Sequence, residues 1–374
     1  MHDSGSLRSW LLLRAIRGLG DATYFRLVQV FGSPSAVFHA SRDQLLVEGQ
    51  IRSSLADAIC NGPDDEAKRA VDEELRLLEG LGISVIALSD PAYPARLKSS
   101  HDPPPVLYVS GALSPVDQHA IAIVGSRKAT AAGRVFTEQL SRELASLGFT
   151  IVSGLARGVD AAAHRGALAA KGRTVAVLGC GLDRTYPPEH QTLRKQVESS
   201  GAVITELPLG SYPHGYHFPR RNRIISGMCL GVVVTEAALE SGSLITARLA
   251  AEQGREVFAV PGFVRADTSR GPNGLIKQGA KLVEGVEDIL PELLPQLEGG
   301  FLTSLTSLMT PPSARPEPDE LEHRVYRCLT WEAVHIDDLI EQSGLPAAEV
   351  SALLLGLELK ALLLQLPGHS YVRL

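Results

Sequence analysis

Sulfur and aromatic side chains are scarce in this sequence: its 374 residues hold four cysteines, three methionines and two tryptophans, and Phe, Trp and Tyr together make up 5%. Cys60, Cys180, Cys229 and Cys328 are far apart and form no CxxC or Cys/His cluster. That spacing argues against a zinc site and against a disulfide framework, and it fits a reducing cytosol. Long apolar runs are missing too, since no stretch of about 18 residues is free of charge. The amino-terminal MHDSGSLRSWLLLRAIRG has a short leucine run and no small-residue cleavage site. Neither membrane spanning nor secretion is expected, and the chain is read as cytoplasmic. Also absent are GxSxG, HExxH and clustered aspartates for a two-metal site. No catalytic residue, metal or cofactor is assigned.

What is present suits a folded protein, with 44% hydrophobic and 21% charged residues. The length exceeds the roughly 100 to 200 residues of one domain, so two or three units are expected. A net charge of -6 argues weakly against a polyanionic partner, but the charge is unevenly spread. From Glu317 to Leu374 there are ten acidic and four basic residues, which accounts for the whole excess. From Gln118 to Tyr186, nine Lys or Arg face four Asp or Glu. Between Gly210 and Ile225 three arginines stand without an acid. A local surface for an anionic ligand is therefore allowed.

Short Val/Ile-rich runs divide the middle of the chain: 121–126, 150–155, 174–179, 202–207, 231–236 and 256–262. Helical patterns over 131–147, 159–170, 189–199 and 244–253 lie between them. Runs apolar on both faces, spaced to leave room for a crossover helix, predict an α/β fold with a doubly wound parallel sheet. Two more runs, 83–88 and 106–111, predict strands ahead of it. Residues 1–80 read as a small all-α domain in which the Gly18–Gly20 turn joins two helices, a helix-hairpin-helix pattern. Such a hairpin either presents backbone N–H groups to a DNA phosphate or serves packing alone. Residues 81–298 form the sheet domain. The Gly, Ser, Thr and Pro of 299–318 read as a linker. Residues 319–374 read as a winged helix. Its third helix offers Glu349, Ser351, Glu358 and Lys360 but no arginine, which favours a protein-contacting role over groove reading.

Ligands of open parallel sheets bind beyond the carboxyl ends of the strands, and the informative residues fall there. Gly125, Ser126, Arg127 and Lys128 follow the first run and precede a helix. They match neither GxGxxG nor GxxxxGK[ST], yet a glycine turn, a helix start and a forked cation suit a phosphate. Gly154, Arg157 and Gly158 follow the second run; Asp160 reads as capping or complementing the helix start rather than as catalytic, and His164, one turn on, shares its face, so that a buried orienting pair is favoured over a general base or metal ligand. Phe218, Arg220, Arg221, Asn222 and Arg223 come after a Gly/Pro/aromatic segment that contains Tyr212 and Tyr216. Rings interleaved with arginines suit single-stranded nucleic acid, while the bland alternative is that Phe218 anchors its loop. Gly242, Ser243 and Thr246 open another helix and let a ligand approach backbone N–H groups. Four such turns predict a site for several phosphates.

At these residues the sequence resembles the DNA-processing protein A (DprA/Smf) family. The stretches that carry the resemblance include IAIVGSRKAT, SGLARGVDAAAHRGAL, FPRRNRIISG, VVVTEAALESGSLITARLAAEQGREVFAVPG and GPNGLIKQGAKLV. The resemblance runs from about Ile83 to Leu290 without a break. It implies an extended Rossmann-like domain flanked, as in many members, by a helical (SAM-like) domain and a winged helix, regions that vary within the family. It further implies a cytosolic, homodimeric protein of natural transformation. Such a protein binds and protects incoming single-stranded DNA and loads a RecA-type recombinase in the presence of single-strand-binding protein, without turnover. The family's DNA-contacting motifs fall on Gly125–Arg127, Arg157–Gly158, Phe218–Arg223 and Lys277. Two alternatives stay open. One is a nucleotide phosphoribohydrolase of the lysine-decarboxylase-like group using Glu236 and Glu240, although its PGGxGTxxE string is missing. The other is an adaptor working through the acidic winged helix.

Overall fold

A computed structural model describes residues 4–297, 299–308, 318–360 and 362–373. One nine-stranded sheet organises the middle of the chain: β1 (Ser84–Ala87), β2 (Val106–Gly111), β3 (Ala120–Val124), β4 (Thr150–Ser153), β5 (Thr174–Val177), β6 (Ala202–Thr205), β7 (Gly231–Val234), β8 (Glu256–Ala259) and β9 (Lys281–Leu282). Their order is β1-β2-β6-β5-β4-β3-β7-β8-β9. From β6 to β9 all neighbours are parallel, whereas β1 and β2 extend one edge antiparallel. The six expected runs all form strands, and each ends short of its run's last residues, where the chain turns off the sheet.

Burial on both faces is visible within a single strand. Ile121 and Ile123 of β3 enter one core with Leu140, Leu144 and Ala163, while Ala120, Ala122 and Val124 enter the other with Ile225 and Ala247. Each fully buried Ile, Leu or Val among them stabilises the fold by about 1.5 to 3 kcal/mol. The crossover helices Ala131–Ser146, Val159–Ala169, Gln191–Ser200 and Gly242–Glu252 lie close to their expected limits. The chain runs outward from β3 through β4 and β5 to β6, then returns to place β7 on the other side of β3. That reversal is the topological switch point.

Three differences from the sequence expectation matter. First, 217–228 is a helix (His217–Met228) whose residues from Arg221 onward are all buried. Its polar residues point inward, so no apolar stripe of helical period marks it. Second, the helical domain lacks a core of its own. Trp10, Tyr24 and Leu27 belong to the same cluster as Val106 and Tyr108 of the sheet edge. Its two first helices, Ser4–Arg14 and Asp21–Phe31, are joined through the glycine turn as expected, with Gly18 at φ 84°. Third, the stretch read as a linker starts with a helix, Gly299–Leu308, because Phe301 packs on Phe149 and His119 and Leu305 is buried. The rest of that stretch, 309–317, lies outside the described residues.

The winged helix is present, with helices Glu320–Cys328, Ile336–Ser343 and Ala347–Leu359 and a sheet of order β10-β12-β11 from β10 (Val334–His335), β11 (Leu363–Leu366) and β12 (Ser370–Arg373). Lys360, at the end of the third helix, is paired with buried Glu322. That pairing takes up the only basic group the sequence offered there.

Candidate functional site

A cleft of about 710 Å³ opens at the switch point, beyond the carboxyl ends of β3 and β7. The two strand ends are tied together where the Ser126 N–H donates to the Glu236 carbonyl at 2.5 Å. Three walls enclose the cleft: the Gly125–Lys128 turn, one side of helix His217–Met228, and the start of helix Gly242–Glu252. Gly125, Ser126, Arg127, Lys128, Phe218, Arg221, Asn222, Gly242, Ser243 and Thr246 all line it. Gly154, Arg157, Gly158, Arg220, Arg223 and Lys277 do not.

Arg127 and Lys128 are exposed, and among the described residues no ion pair holds either. The Arg127 guanidinium carbon stands 5.0 Å from the centroid of the Phe218 ring. A guanidinium resting its flat face on a ring keeps its edge N–H donors free, so the contact aims the cation without spending it. Ser126 Oγ accepts the Lys128 N–H at 3.0 Å and fixes the turn.

The four turns are not alike. At the start of helix Ala131–Ser146, Glu236 accepts from the Thr130 N–H at 2.8 Å and from its hydroxyl at 2.6 Å, so the protein's own carboxylate occupies that positive helix end. After β4, Asp160 accepts the N–H groups of Gly154 at 3.1 Å and Ala156 at 3.3 Å. Gly154 therefore has no backbone donor left for a ligand. A Cβ there would lie 2.5 Å from Arg221 and 2.6 Å from Asp160, so a larger residue would have to displace these two buried groups. Gly158, at φ 73°, packs on the Ser126 carbonyl and holds the first turn in place. Helix Gly242–Glu252 starts on the cleft with Gly242 exposed, and its N-cap Ser241 accepts the Ser243 N–H at 3.3 Å and stands 2.7 Å from the Ser243 hydroxyl.

The arginine stretch divides in the same way. Arg221 is 5% exposed and donates to the carbonyls of Gly154, at 3.0 Å, and Val177. Burial pushes its pKa down to about 10, against the pull of Asp160. Burial likewise raises the Asp160 pKa, and Arg221 opposes that rise. Asn222 donates to the Gly242 carbonyl at 3.1 Å and so joins two walls of the cleft. Arg223 is enclosed by Asp21 at 2.8 Å, Glu206 at 2.6 Å and Asp102 at 3.2 Å. Arg220 keeps 48% side-chain exposure but still pairs with Asp21 at 2.5 Å and Glu206 at 3.3 Å. Asp21 is the first residue after the Gly18–Gly20 turn, so the amino-terminal hairpin faces this arginine helix.

Other sequence candidates take bland positions. Asp160 and His164 are not paired. The Thr174 hydroxyl gives its proton to the Ile151 carbonyl at 2.7 Å, which leaves it to accept from His164 Nδ1 at 2.7 Å. His164 Nε2 then has no partner in the core, and burial lowers the ring's pKa to about 3. Arg157 is exposed and pairs with Glu189 at 2.5 Å. Lys277 is exposed at the end of helix Arg270–Lys277, away from the cleft. Sequence reasoning missed Tyr186, whose ring stands 5.6 Å from Phe218. It also missed Asp21, Asp102 and Glu206 as partners of the arginines, because no local pattern links those segments. Among the described residues, no three His, Cys, Asp or Glu side chains gather as for a metal, and no helix is long and apolar enough to cross a membrane.

Residues 84–294 match the family model described as DNA recombination-mediator protein A, and residues 309–369 match the DprA winged helix domain. The chain is 42% identical over 311 residues to protein Smf of Escherichia coli K12, covering 82% of each. It is 44% identical over 213 residues to DNA processing protein DprA of Bacillus subtilis 168, covering 57% of this chain and 72% of that one. Among solved structures, DNA processing protein A from Streptococcus pneumoniae matches with a TM-score of 0.66 and 32% identity, over 80% of this chain and 100% of that one. DNA processing protein A from Helicobacter pylori, described for its single-stranded DNA binding mode, matches with a TM-score of 0.52 and 29% identity, over 58% of this chain and 97% of that one.

Proposed function

The chain belongs to the DNA recombination-mediator protein A (DprA/Smf) family, and from that premise we propose that it binds single-stranded DNA in the cleft between β3 and β7. The observation that carries this reading is the pairing of two cations without a counter-ion among the described residues, Arg127 and Lys128, with the helix start at Gly242, around a cleft edged by Phe218. Phosphates meet donors and positive charge there, and the segment leading to Phe218 adds exposed rings, Tyr212 and Tyr216, for unpaired bases. The Helicobacter pylori relative is described as a single-stranded DNA binder, which supports the same ligand class.

The protein then acts in the cytosol as a binder without turnover. It shields the strand and hands it to a RecA-type recombinase in the presence of single-strand-binding protein, as a homodimer whose two clefts add avidity. The position of Glu236 supports a binding role over hydrolysis: of the two carboxylates the enzymatic alternative would use, Glu236 is held by Thr130, and Glu240 alone is exposed at the cleft. The acidic winged helix, whose Lys360 is internally paired, suits a protein contact better than a DNA groove.

Equilibrium binding of fluorescent oligo-dT across a salt series tests the reading. Wild type should bind with a slope of about -0.7 per phosphate neutralised, and Arg127→Ala should lose most of that affinity. Weak or salt-flat binding by the wild type would overturn it.

A further inference from the structure

The segment between Leu207 and Pro219 carries no acid and ends at the cleft, where its Pro213 and Gly215 form part of the lining. It is a lip with fixed geometry. The His214 N–H donates to the Tyr212 carbonyl at 2.9 Å, and the His217 N–H to the His214 carbonyl at 3.0 Å. A third tie joins His217 Nδ1 to the Tyr212 carbonyl at 3.0 Å.

On this lip the rings are ordered and largely uncovered. Tyr216 is 70% exposed although it stacks on His214, with centroids 5.5 Å apart and planes 4° from parallel, and meets His217 edge-on at 4.4 Å. Tyr212 is 59% exposed, with the Arg184 guanidinium carbon 3.8 Å from its ring centroid. Exposed large rings gathered in one place mark a surface that meets something flat and apolar. Phe218, by contrast, is already crowded by Arg127, Arg221, Tyr186 and Gly179. Its surroundings position Arg127 and leave little ring for a base.

We propose that the lip is a base-stacking subsite. Unpaired nucleobases of a strand whose phosphates lie on Arg127 and Lys128 stack on Tyr216 and on the Arg184–Tyr212 pair. The inference rests on the single-strand reading above and divides its labour: the cleft takes the phosphates and the lip takes the bases. Continuity selects the occupant, because the lip, through Pro213 and Gly215, and the Gly125–Lys128 turn line the same opening and neither segment carries an acid. Every base has a π-face, so such a subsite adds affinity with little sequence preference.

Two probes of equal length separate the parts: labelled oligo-dT, and a labelled abasic strand with the same phosphates and no bases. The Tyr212→Ala, Tyr216→Ala double variant should lose about tenfold or more on oligo-dT and keep wild-type affinity and salt slope on the abasic strand. Tyr212→Phe, Tyr216→Phe, which keeps the rings, should retain oligo-dT binding. Arg127→Ala should weaken both probes. A double alanine variant with the wild-type ratio of the two affinities, or with an equal loss on both probes, overturns the subsite while the Arg127 effect leaves the single-strand reading standing. Failure of the wild type to bind either probe in a salt-dependent way overturns both.

Discussion

Arg127 and Arg221 flank one phenyl ring, 5.0 and 6.0 Å from the centroid of Phe218, and their surroundings are opposite. Arg127 stands in solvent with no counter-ion among the described residues. Arg221 is buried and bonded to two backbone carbonyls. The first is placed to meet a ligand. The second ties β5 to the turn after β4 and, through Asp160, fixes the wall on which the ligand would lie. In sequence the second stretch, with its three arginines, looks the more basic of the two. A count of charges along a chain therefore does not give the charge of its surface, because a buried cation matched by carboxylates adds little field outside.

Removing Arg221 should have the largest effect on that comparison. Arg221→Ala leaves the Gly154 and Val177 carbonyls unmet and Asp160 buried without its cation. A loss of about 3 to 5 kcal/mol in urea unfolding is expected. A wild-type midpoint would show that the bonds are not structural.

The buried side of the comparison also predicts acid sensitivity. His164 has its pKa lowered to about 3 in the fold, against about 6.5 unfolded. The unfolded chain therefore takes up the proton first. The stabilising contribution of the neutral ring is complete above about pH 6.5 and is lost as pH falls toward the folded value, at up to about 1.4 kcal/mol per pH unit. Urea midpoints measured from pH 7.5 down to pH 4 should fall, and His164→Asn should flatten that slope. An unchanged slope would place the titration elsewhere.

On the exposed side, Arg127→Ala should cost about tenfold or more in oligo-dT affinity and reduce the salt slope by about 0.7 for each lost phosphate contact. Its unfolding midpoint should stay at the wild-type value, which makes it the mirror image of Arg221→Ala. Asp21→Asn falls between the two, because it weakens the acid that Arg220 and Arg223 share. About 1 to 3 kcal/mol of stability should be lost, read as earlier proteolysis of the amino-terminal helices. The smallest effect belongs to Lys277→Ala. An exposed lysine outside the cleft should change oligo-dT affinity by about twofold, close to one screened charge. A tenfold loss would extend the binding track across β8 to that helix.

The frame of the molecule was legible because its signals are local. A Val/Ile run closed by glycine turns off the sheet at that glycine whatever lies across the fold, and so the turn at Gly125 and the helix start at Gly242 were found in advance. Helix His217–Met228 was not legible, because its buried arginines erase the apolar stripe that marks a surface helix. The Asp160–His164 pair failed for a similar reason. Spacing placed the two on one helix face, but each found a better partner in a neighbouring strand or turn.

By itself the sequence determined the alternation of strand and helix, the position of the rim and the Gly125 turn and Gly242 helix start that stand on it. These follow from side-chain shape and backbone freedom within a few residues. Which arginines reach solvent was decided by the tertiary structure alone. Asp21 meets Arg223 across 202 residues of chain, and Asp102 and Glu206 close around it from two further segments. The desolvation of a cation is settled by the carboxylates and carbonyls that packing delivers to it, and these come from distant parts of the chain.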